Sequence, residues 1–202
     1  EVAIAHDLLV LSDEIYSRMI YEGAHQSIAA LPGMAERTII MDGFSKTYAM
    51  TGWRLGYGVM PPALVPHISK LITNSVSCTA SFTQLAGIEA LTGDQAPVDA
   101  MLQEFRTRRA VIVEGLNRLP GIRCAMPRGA FYAFPNIAGT GLRAQELATM
   151  LLDEAGVATL AGTAFGPGGE GYLRLSYANS VENIQEALAR MERLLAGRLR
   201  GE

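Results

Sequence analysis

Cysteine, charge and long apolar runs are all scarce in this chain, and each shortage excludes a class of protein. The sequence of 202 residues contains two cysteines, Cys78 and Cys124, which lie far apart and lack CxxC spacing. This excludes a disulfide framework and a cysteine-based zinc site, and it favours a reducing compartment. The three histidines, His6, His25 and His67, show neither metal-ligand spacing nor an obvious acidic partner, so no metal site is predicted.

The charge of the chain is low and slightly acidic. Charged residues make up 18% of the sequence, the formal net charge is −3 and the isoelectric point is near 5.7. Nucleic acid and anionic lipid are held by basic surfaces, which this composition does not supply. No apolar run approaches the ~20 residues that span a bilayer, and the first residues lack the order of a signal peptide. We therefore expect a cytoplasmic protein without nucleic-acid or membrane partners.

Apolar residues make up 49% of the chain, enough for one large domain or two smaller ones. Three short runs that are apolar on both faces predict strands of a covered α/β sheet. These runs are Leu8–Ser12, Thr38–Asp42 and Leu55–Met60. Helical spacing follows over 63–76 and 80–91, and a longer helix is predicted from Pro97 until Pro120 ends it.

The pattern changes after this long helix. Two short β-rich runs, Ile122–Met126 and Ala130–Phe134, flank a Pro-Arg-Gly turn and predict a hairpin. A helix is predicted over Leu142–Ala155 and a strand over Tyr172–Tyr177, and a final helix begins after Ser180, a good N-cap. The elements sum to an α/β portion followed by a smaller α+β portion.

The most informative segment of the chain surrounds Lys46, which follows a predicted strand and lies among small residues. Asp13 and Tyr16 follow the preceding strand, and parallel strands deliver ligand-binding groups at their carboxyl ends. An aromatic aldehyde cofactor needs an amine to hold it, an anion at its ring nitrogen and anchors for its phosphate. Lys46, Asp13 and Arg54 are candidates for these three roles, because lysine forms Schiff bases and arginine binds phosphate with two donors. Tyr16 is a candidate donor to a ring phenolate.

Each of these residues also has an ordinary structural interpretation. Most lysines are solvated surface charges, and Asp13 by itself suits a turn or a helix cap. Tyr16 suits a half-buried core position, and Arg54 suits a structural ion pair. Arg174 lies on a predicted strand, opposite the face of the neighbouring leucines, where a surface arginine is also expected.

Four segments carry a resemblance to a known family. In chain order, SDEIY, GFSKTYAMTGWRLG, RGAFYAF and YLRLSYA resemble the second half of a class I/II aminotransferase of fold type I, of the aspartate and aromatic kind. The resemblance extends over essentially the whole chain. It implies the second half of a large domain that binds pyridoxal phosphate over residues 1–112 and a small C-terminal domain over residues 113–202. The family's first half is then expected upstream of Glu1.

The resemblance implies pyridoxal 5′-phosphate as the cofactor and assigns residues to it. Lys46 forms the aldimine with the cofactor, Asp13 pairs with the pyridine nitrogen and Tyr16 contacts the ring oxygen. Arg54 binds the phosphate. Many members carry a serine three residues before the lysine as a further phosphate ligand, but this chain has glycine there, and Ser45 replaces that contact only in part.

The same resemblance implies the substrates and the assembly. Arg174 holds the α-carboxylate of the amino acid, and the partners are an amino acid, a 2-oxo acid and a second copy that shares the active site. The predicted function is amino-group transfer from an L-amino acid to a 2-oxo acid through the lysine aldimine.

Three alternatives stay open at this point. A β-lyase of the same fold uses the same lysine and aspartate, because the shared carbanion can expel a leaving group. A non-catalytic sensor fits less well, since the sequence shows no helix-turn-helix and no basic patch. A truncated piece without activity is the third alternative. The segment Gly166–Gly171 matches GxGxxG but contains proline and leads into a strand, so it predicts a loop rather than a dinucleotide site.

Overall fold

The chain divides into two units, Glu1–Asp99 and Ala100–Glu202, in a computed structural model that describes residues 1–199. The last three residues of the domain predicted over 113–202 therefore lie outside the described part. This division and the predicted domain boundary after residue 112 both fall within one long helix, Ala96–Arg118. Each unit is described by itself.

A three-stranded sheet forms the centre of the first unit. A single helical turn, α1 (Val2–Ala5), precedes the strands. The strands are β1 (Val10–Asp13), β2 (Thr38–Gly43) and β3 (Gly56–Val59). β1 runs parallel to β2, with Asp13 paired with Met41, whereas β3 runs antiparallel to β2, with Gly56 paired with Gly43. The carboxyl ends of β1 and β2 and the start of β3 therefore meet at one end of the sheet, and the three predicted strands are confirmed.

Helices follow the sheet in the order that the periodicity predicts. They are α2 (Val65–Ser75), α3 (Ser81–Thr92) and α4 (Ala96–Arg118). Pro66 lies in the first turn of α2, where its missing N–H is not needed, and Gly93 caps the end of α3. The helices predicted over 63–76 and 80–91 are thus confirmed.

The first unit exposes many large apolar side chains. In the sheet, Leu11 of β1 is 62% exposed and Val59 of β3 is 55% exposed. On α3, Phe82 and Leu85 are 67% and 68% exposed. Exposed large apolar side chains in such number are typical of places where a protein packs against further protein.

A second three-stranded sheet lies in the second unit. Its elements after α4 are β4 (Tyr132–Ala133), α5 (Ala144–Asp153), β5 (Leu160–Ala161), β6 (Leu173–Ser176) and α6 (Val181–Leu199). β6 lies in the middle and pairs antiparallel with β4 and with β5. Leu173 and Leu175 of β6 point into the core, where they are 0% and 8% exposed. The predicted strand over Tyr172–Tyr177 and the predicted helix over Leu142–Ala155 are confirmed.

The hairpin predicted around the Pro-Arg-Gly turn is wrong. Ile122–Met126 forms no strand, and Arg123 pairs with Asn136 in an isolated bridge. The pairing across the turn is confined to this bridge, in which Arg123 and Asn136 exchange both backbone hydrogen bonds. Asn117 of α4 holds the segment from its other side, because it accepts a hydrogen bond from Cys124 N at 2.9 Å and donates one to Cys124 O at 2.9 Å. The second run supplies β4, which pairs with β6.

Helix α6 begins as the sequence predicts. The hydroxyl of Ser180 accepts a hydrogen bond from the backbone N–H of Asn183 at 3.2 Å, which caps the first turn. Ile184, Met191 and Leu195 are buried along one face of the helix. On the same helix, Leu188 packs so close to Gly115 of α4 that a Cβ added at Gly115 would lie 2.3 Å from Leu188 Cδ1.

This packing predicts opposite effects for two helical glycines. Gly115→Ala lowers the free energy of unfolding by about 1–3 kcal/mol, because the new methyl group overlaps the Leu188 side chain. Gly197→Ala is the matched control, since no heavy atom lies within 4 Å of the new Cβ, and it raises the free energy by up to about 1 kcal/mol. Urea denaturation measures both. Equal stabilisation by the two substitutions would contradict the described packing of α4 against α6.

Candidate functional site

The loop that follows β2 holds Lys46 in a tight turn. The carbonyl of Phe44 accepts hydrogen bonds from Tyr48 N at 3.2 Å and from Met50 N at 3.3 Å. Phe44 and Thr47 are buried at 4% and 3% exposure, whereas Lys46 between them is half-buried. Buried neighbours and backbone bonds thus fix the backbone of this lysine.

Asp13 ends β1 at the same end of the sheet as this loop. Its Oδ1 accepts a hydrogen bond from Ile15 N at 3.2 Å, and the side chain is exposed. Only Oδ1 takes part in this bond, so the carboxylate can also accept a hydrogen bond from a ligand. Tyr16 follows in the turn after β1, and its ring is half-buried. The parallel register of β1 and β2 therefore delivers Asp13, Tyr16 and Lys46 to one end of the sheet.

Arg54 reaches the same end of the sheet from β3, because β3 starts where β2 stops. The backbone of Arg54 has a φ of +54°, a left-handed conformation that costs a non-glycine residue about 1–2 kcal/mol. Its side chain is exposed and donates a hydrogen bond to Thr51 O at 2.7 Å. Strained backbone at a predicted binding residue is typical of functional sites.

Gly43, the position where many members of the resembled family have serine, leaves little room for a side chain. A Cβ there would lie 3.0 Å from Gly56 Cα and 3.0 Å from Leu55 O, both backbone atoms of the adjoining segment. A serine at this position would require the adjoining backbone to move by a few tenths of an ångström. Ser45, beside Lys46, is the half-buried hydroxyl that the loop itself supplies.

A buried carboxylate beside Asp13 is a residue that the sequence analysis missed. Glu14 is 8% exposed, and its Oε1 accepts hydrogen bonds from Ser27 Oγ at 2.7 Å and from Ser12 Oγ at 3.1 Å. His25 Nε2 lies 2.7 Å from Oε2 of the same carboxylate. The prediction that His25 has no acidic partner is thus wrong. His25 lies in the long loop between β1 and β2, and this loop folds back onto Glu14 without any periodic sequence pattern that would predict the contact.

The pKa of Glu14 lies below its ordinary value. Burial by itself raises this pKa, but the hydrogen bonds from Ser27, His25 and Ser12 together outweigh burial and lower it. The ionised carboxylate therefore ties Ser27 and His25 to the residue next to Asp13. This arrangement fastens the loop after β1 to the end of the strand.

Asp42 and Tyr57 form a second polar pair near the loop of Lys46. Tyr57 Oη donates a hydrogen bond to Asp42 Oδ2 at 3.3 Å, and Asp42 Oδ1 accepts one from Gly43 N at 2.7 Å. Burial and the negative charge of Asp42 raise the pKa of Tyr57. The phenol therefore stays protonated and keeps β2 and β3 joined at this end.

In the second unit, β6 carries Arg174 on the face opposite its buried leucines. The guanidinium carbon of Arg174 lies 4.5 Å from the ring centroid of Tyr132 and 4.4 Å from that of Phe165. The first unit thus offers an amine, a carboxylate, a phenol and a guanidinium at one end of its sheet, and the second unit offers a guanidinium in contact with two aromatic rings. Amine and carboxylate suit covalent capture of an aldehyde, and the guanidinium groups suit anions.

Comparisons with known proteins agree with this arrangement. The family model described as aminotransferase class I and II matches residues 1–191. The putative aminotransferase YugH of Bacillus subtilis is 46% identical to this chain, over 96% of the chain and 50% of its own length. An aspartate aminotransferase of Pyrococcus abyssi is 44% identical, over 96% of the chain and 51% of its own length. The chain spans about half the length of these curated relatives.

Solved structures show the same likeness. An aromatic aminotransferase from Pyrococcus horikoshii is 44% identical and superposes with a TM-score of 0.93, over 98% of this chain and 53% of that one. The aspartate aminotransferase of Thermus thermophilus with maleate is 37% identical, with a TM-score of 0.88 over 96% of this chain and 50% of that one. These neighbours confirm the predicted fold class.

Three further observations bear on the predictions from composition. Cys78 and Cys124 are both free thiols. Among residues 1–199, no helix combines the length and the apolar character that crossing a membrane requires. Within the same range, no group of three histidine, cysteine, aspartate or glutamate side chains is arranged to hold a metal ion.

The hydrogen bonds of Glu14 predict a stability that depends on pH. Because its folded-state pKa is lowered, the carboxylate contributes stability above its ordinary value of 4.5, and this contribution is lost as the pH falls through the lower folded-state value. Glu14→Gln is therefore expected to lose about 1–3 kcal/mol of unfolding free energy at pH 7. The difference in the free energy of unfolding between the native protein and this variant becomes smaller below pH 4.5.

Denaturant titrations at pH 7 and at the acid end test this expectation. Glu36→Gln, at an exposed glutamate of the same unit, is the control and leaves the stability within about 0.5 kcal/mol. A Glu14→Gln protein as stable as the control at pH 7 would show that the buried hydrogen bonds contribute nothing.

Proposed function

This chain belongs to the class I and II aminotransferase family, and we propose that it supplies the lysine, the ring-nitrogen acid and the carboxylate-binding arginine of a transaminase. The resemblance identified in the sequence is thereby confirmed as family membership, and pyridoxal phosphate, the predicted cofactor, is the cofactor of this family. One observation carries the proposal: the parallel register of β1 and β2, which delivers Asp13 and Lys46 to the same end of one sheet.

The side chains at this end of the sheet fit the chemical groups of pyridoxal phosphate. Lys46 is the amine that captures the aldehyde, on a backbone fixed by the bonds to Phe44. Asp13 would hold the ring nitrogen, because its carboxylate keeps acceptor capacity beside the bond from Ile15 N. Tyr16 donates to the ring oxygen. Together these residues account for the aldehyde, the ring nitrogen and the ring oxygen of the cofactor.

Two further side chains are proposed to hold the phosphate. Arg54 projects an exposed guanidinium, and its donors match the oxygens of a phosphate. Ser45 adds a hydroxyl from the loop of the lysine. Gly43 has no side chain and therefore makes no third contribution. We expect the phosphate to be held by charge more than by side-chain hydroxyls in this part of the site.

In this proposal, proton transfer is the task of Lys46. The bound cofactor supplies a cationic ring that accepts the electron pair left when the substrate loses its Cα proton. The ε-amine of Lys46 removes that proton as a general base and returns it as a general acid. Asp13 keeps the ring nitrogen protonated, because an anion beside it favours the cationic form.

Arg174 is proposed to bind the α-carboxylate of the substrate. A guanidinium offers two parallel N–H donors to a carboxylate, which fixes the position of the Cα atom for proton transfer. The donor is an L-amino acid and the acceptor a 2-oxo acid. Relatives are named for aspartate, for aromatic amino acids and for arginine with pyruvate, so the amino acid differs between members of this family.

We also propose that the protein acts as a cytoplasmic homodimer with a shared active site. The exposed apolar side chains of α2 and α3 support an assembly, since such surfaces pack against other protein. The two free thiols support a reducing compartment. The proposed large domain over residues 1–112 then carries the cofactor, and the proposed small domain over 113–202 carries Arg174.

The chain has two lysines, Lys46 and Lys70, which makes the covalent assignment testable. After incubation with pyridoxal phosphate and borohydride reduction, we expect the mass of one pyridoxyl phosphate group on the peptide that contains Lys46. Lys46→Ala abolishes this labelling and turnover, because no other residue of the site carries a primary amine. Peptide mass spectrometry measures the label.

Lys70→Ala is the matched control, because Lys70 is exposed on α2. This variant keeps both the label at Lys46 and the turnover. Turnover by Lys46→Ala, or a label that moves to Lys70 in the native protein, would overturn the assignment.

A further inference from the structure

Arg174 lies in the middle of the small sheet of the second unit. In β6 it pairs with Leu160 of β5, and two residues later Ser176 pairs with Tyr132 of β4. Side chains alternate along a strand, so Arg174 shares its face with Ser176 and with the diagonal neighbour Tyr132. The buried Leu173 takes the other face. The sheet therefore fixes the base of the Arg174 side chain and directs it over β4.

Two aromatic rings lie against the guanidinium group. Its central carbon is 4.5 Å from the centroid of Tyr132 and 4.4 Å from the centroid of Phe165. Both distances fall well within the ~6 Å over which a cation is attracted to an aromatic face. Arginine carries five N–H donors, so contact of its guanidinium group with two rings leaves donors available to a ligand.

Phe165 comes from a loop, and the loop is fixed at its base. Phe165 ends a short 3₁₀ turn, Gly162–Phe165, and a second turn, Pro167–Gly169, follows. The two turns lie backbone against backbone, because a Cβ added at Gly169 would lie 2.0 Å from Gly162 O. Gly162 N also donates to Tyr172 O at 2.8 Å, which ties the loop to the start of β6.

A charged side chain closes the other end of this loop. The carboxylate of Glu170 accepts hydrogen bonds from Ala144 N at 2.8 Å and from Gly171 N at 3.0 Å. Ala144 is the first residue of α5, so the loop is joined to a helix N-terminus. These backbone hydrogen bonds hold the pKa of Glu170 below its ordinary value. The glycine-rich segment Gly166–Gly171 is thus a structural support for Phe165.

A third aromatic residue supports Phe165 from the side. Phe134, which follows β4, meets Phe165 edge to face with centroids 6.2 Å apart. Phe134 also stacks on Tyr172 at 5.3 Å between centroids. Both geometries are favourable for aromatic pairs. Phe165 is 52% exposed, so the main supports of its ring are Phe134, the loop base and Arg174 itself.

From this geometry we propose that Tyr132 and Phe165 are positioning residues that hold the guanidinium of Arg174 between two rings, with its N–H edge directed at the substrate carboxylate. The proposal rests on the carboxylate-binding role proposed for Arg174. The two rings restrict the long side chain of Arg174 to one orientation. A guanidinium that is already oriented loses less conformational entropy on binding and therefore binds a carboxylate more tightly. The contact of Gly162 with Gly169 then acts on substrate binding only through Phe165, and no residue of the glycine-rich loop needs to touch the substrate.

Removing one ring tests the proposal. Phe165→Leu keeps an apolar side chain but removes the aromatic face, and we expect the KM for the amino acid to rise about three- to tenfold with kcat nearly unchanged. Phe165→Tyr keeps an aromatic ring at this position, and we expect its KM to equal that of the native protein. The melting temperature of both variants stays close to that of the native protein, because the side chain is half-exposed. An unchanged KM in Phe165→Leu would overturn the proposal.

Adjacent glycines provide a matched pair of substitutions that keeps both aromatic residues, Tyr132 and Phe165, in the sequence. Gly169→Ala forces the two turns apart, because its Cβ would overlap the backbone of Gly162, and so it displaces Phe165. Gly168→Ala meets no heavy atom within 4 Å of the new Cβ. We expect Gly169→Ala to raise KM by at least as much as Phe165→Leu and Gly168→Ala to leave KM unchanged. Equal KM values for the two alanine variants would contradict the loop's role.

A binding measurement separates this proposal from the function on which it rests. Isothermal titration of the cofactor-loaded protein with 3-phenylpropionate, an unreactive carboxylic acid, reports carboxylate affinity without turnover, and cofactor absorbance reports loading. If Arg174→Gln leaves the affinity unchanged, the proposed role of Arg174 fails, and the positioning proposal fails with it. If Arg174→Gln weakens binding and Phe165→Leu does not, the positioning proposal alone fails. Weaker binding in both, with loading intact, supports both.

Discussion

The parallel hydrogen bonding of β1 to β2 is the constraint on which the proposed site depends. Its register pairs Asp13 with Met41, and β2 then ends within a few residues of Lys46. Because the strands are parallel, the acid and the amine emerge at one end of the sheet, although 24 residues separate the strands in the sequence. A shift of one residue would turn Asp13 to the other face. The antiparallel strand β3 adds Arg54 at the same end, since it starts where β2 stops.

Each unit adds a device that fixes a reactive or binding side chain. In the first unit, the buried carboxylate of Glu14 gathers Ser12, Ser27 and His25 and so fastens the loop beside Asp13. In the second unit, aromatic rings and a glycine-rich loop support Arg174. Both devices use residues that would touch neither the cofactor nor the substrate directly. Accurate placement of catalytic groups generally needs such supporting residues, because a small displacement of a reacting group costs much of the rate.

The sequence predicted helices α2 to α6, the positions of five of the six strands and the convergence of Asp13 with Lys46, because those features follow from local periodicity and from the geometry of parallel sheets. It failed where a distant side chain decides the outcome. The run Ile122–Met126 is bound to α4 by Asn117, through both backbone groups of Cys124, and forms no strand. Strand β5, with two residues, carries no periodic signal. The pair of Glu14 and His25 forms across an irregular loop, and no spacing rule identifies such a pair.

The most direct measurement is a crystal structure of the protein crystallised with pyridoxal phosphate. We predict continuous electron density from Lys46 Nζ to the aldehyde carbon, with the carboxylate of Asp13 within hydrogen-bonding distance of the ring nitrogen. It also predicts that Arg54 contacts the phosphate. A cofactor bound at this end of the sheet with its ring nitrogen turned away from Asp13, or a cofactor bound elsewhere, would contradict the claim that the pairing of β1 with β2 builds the site.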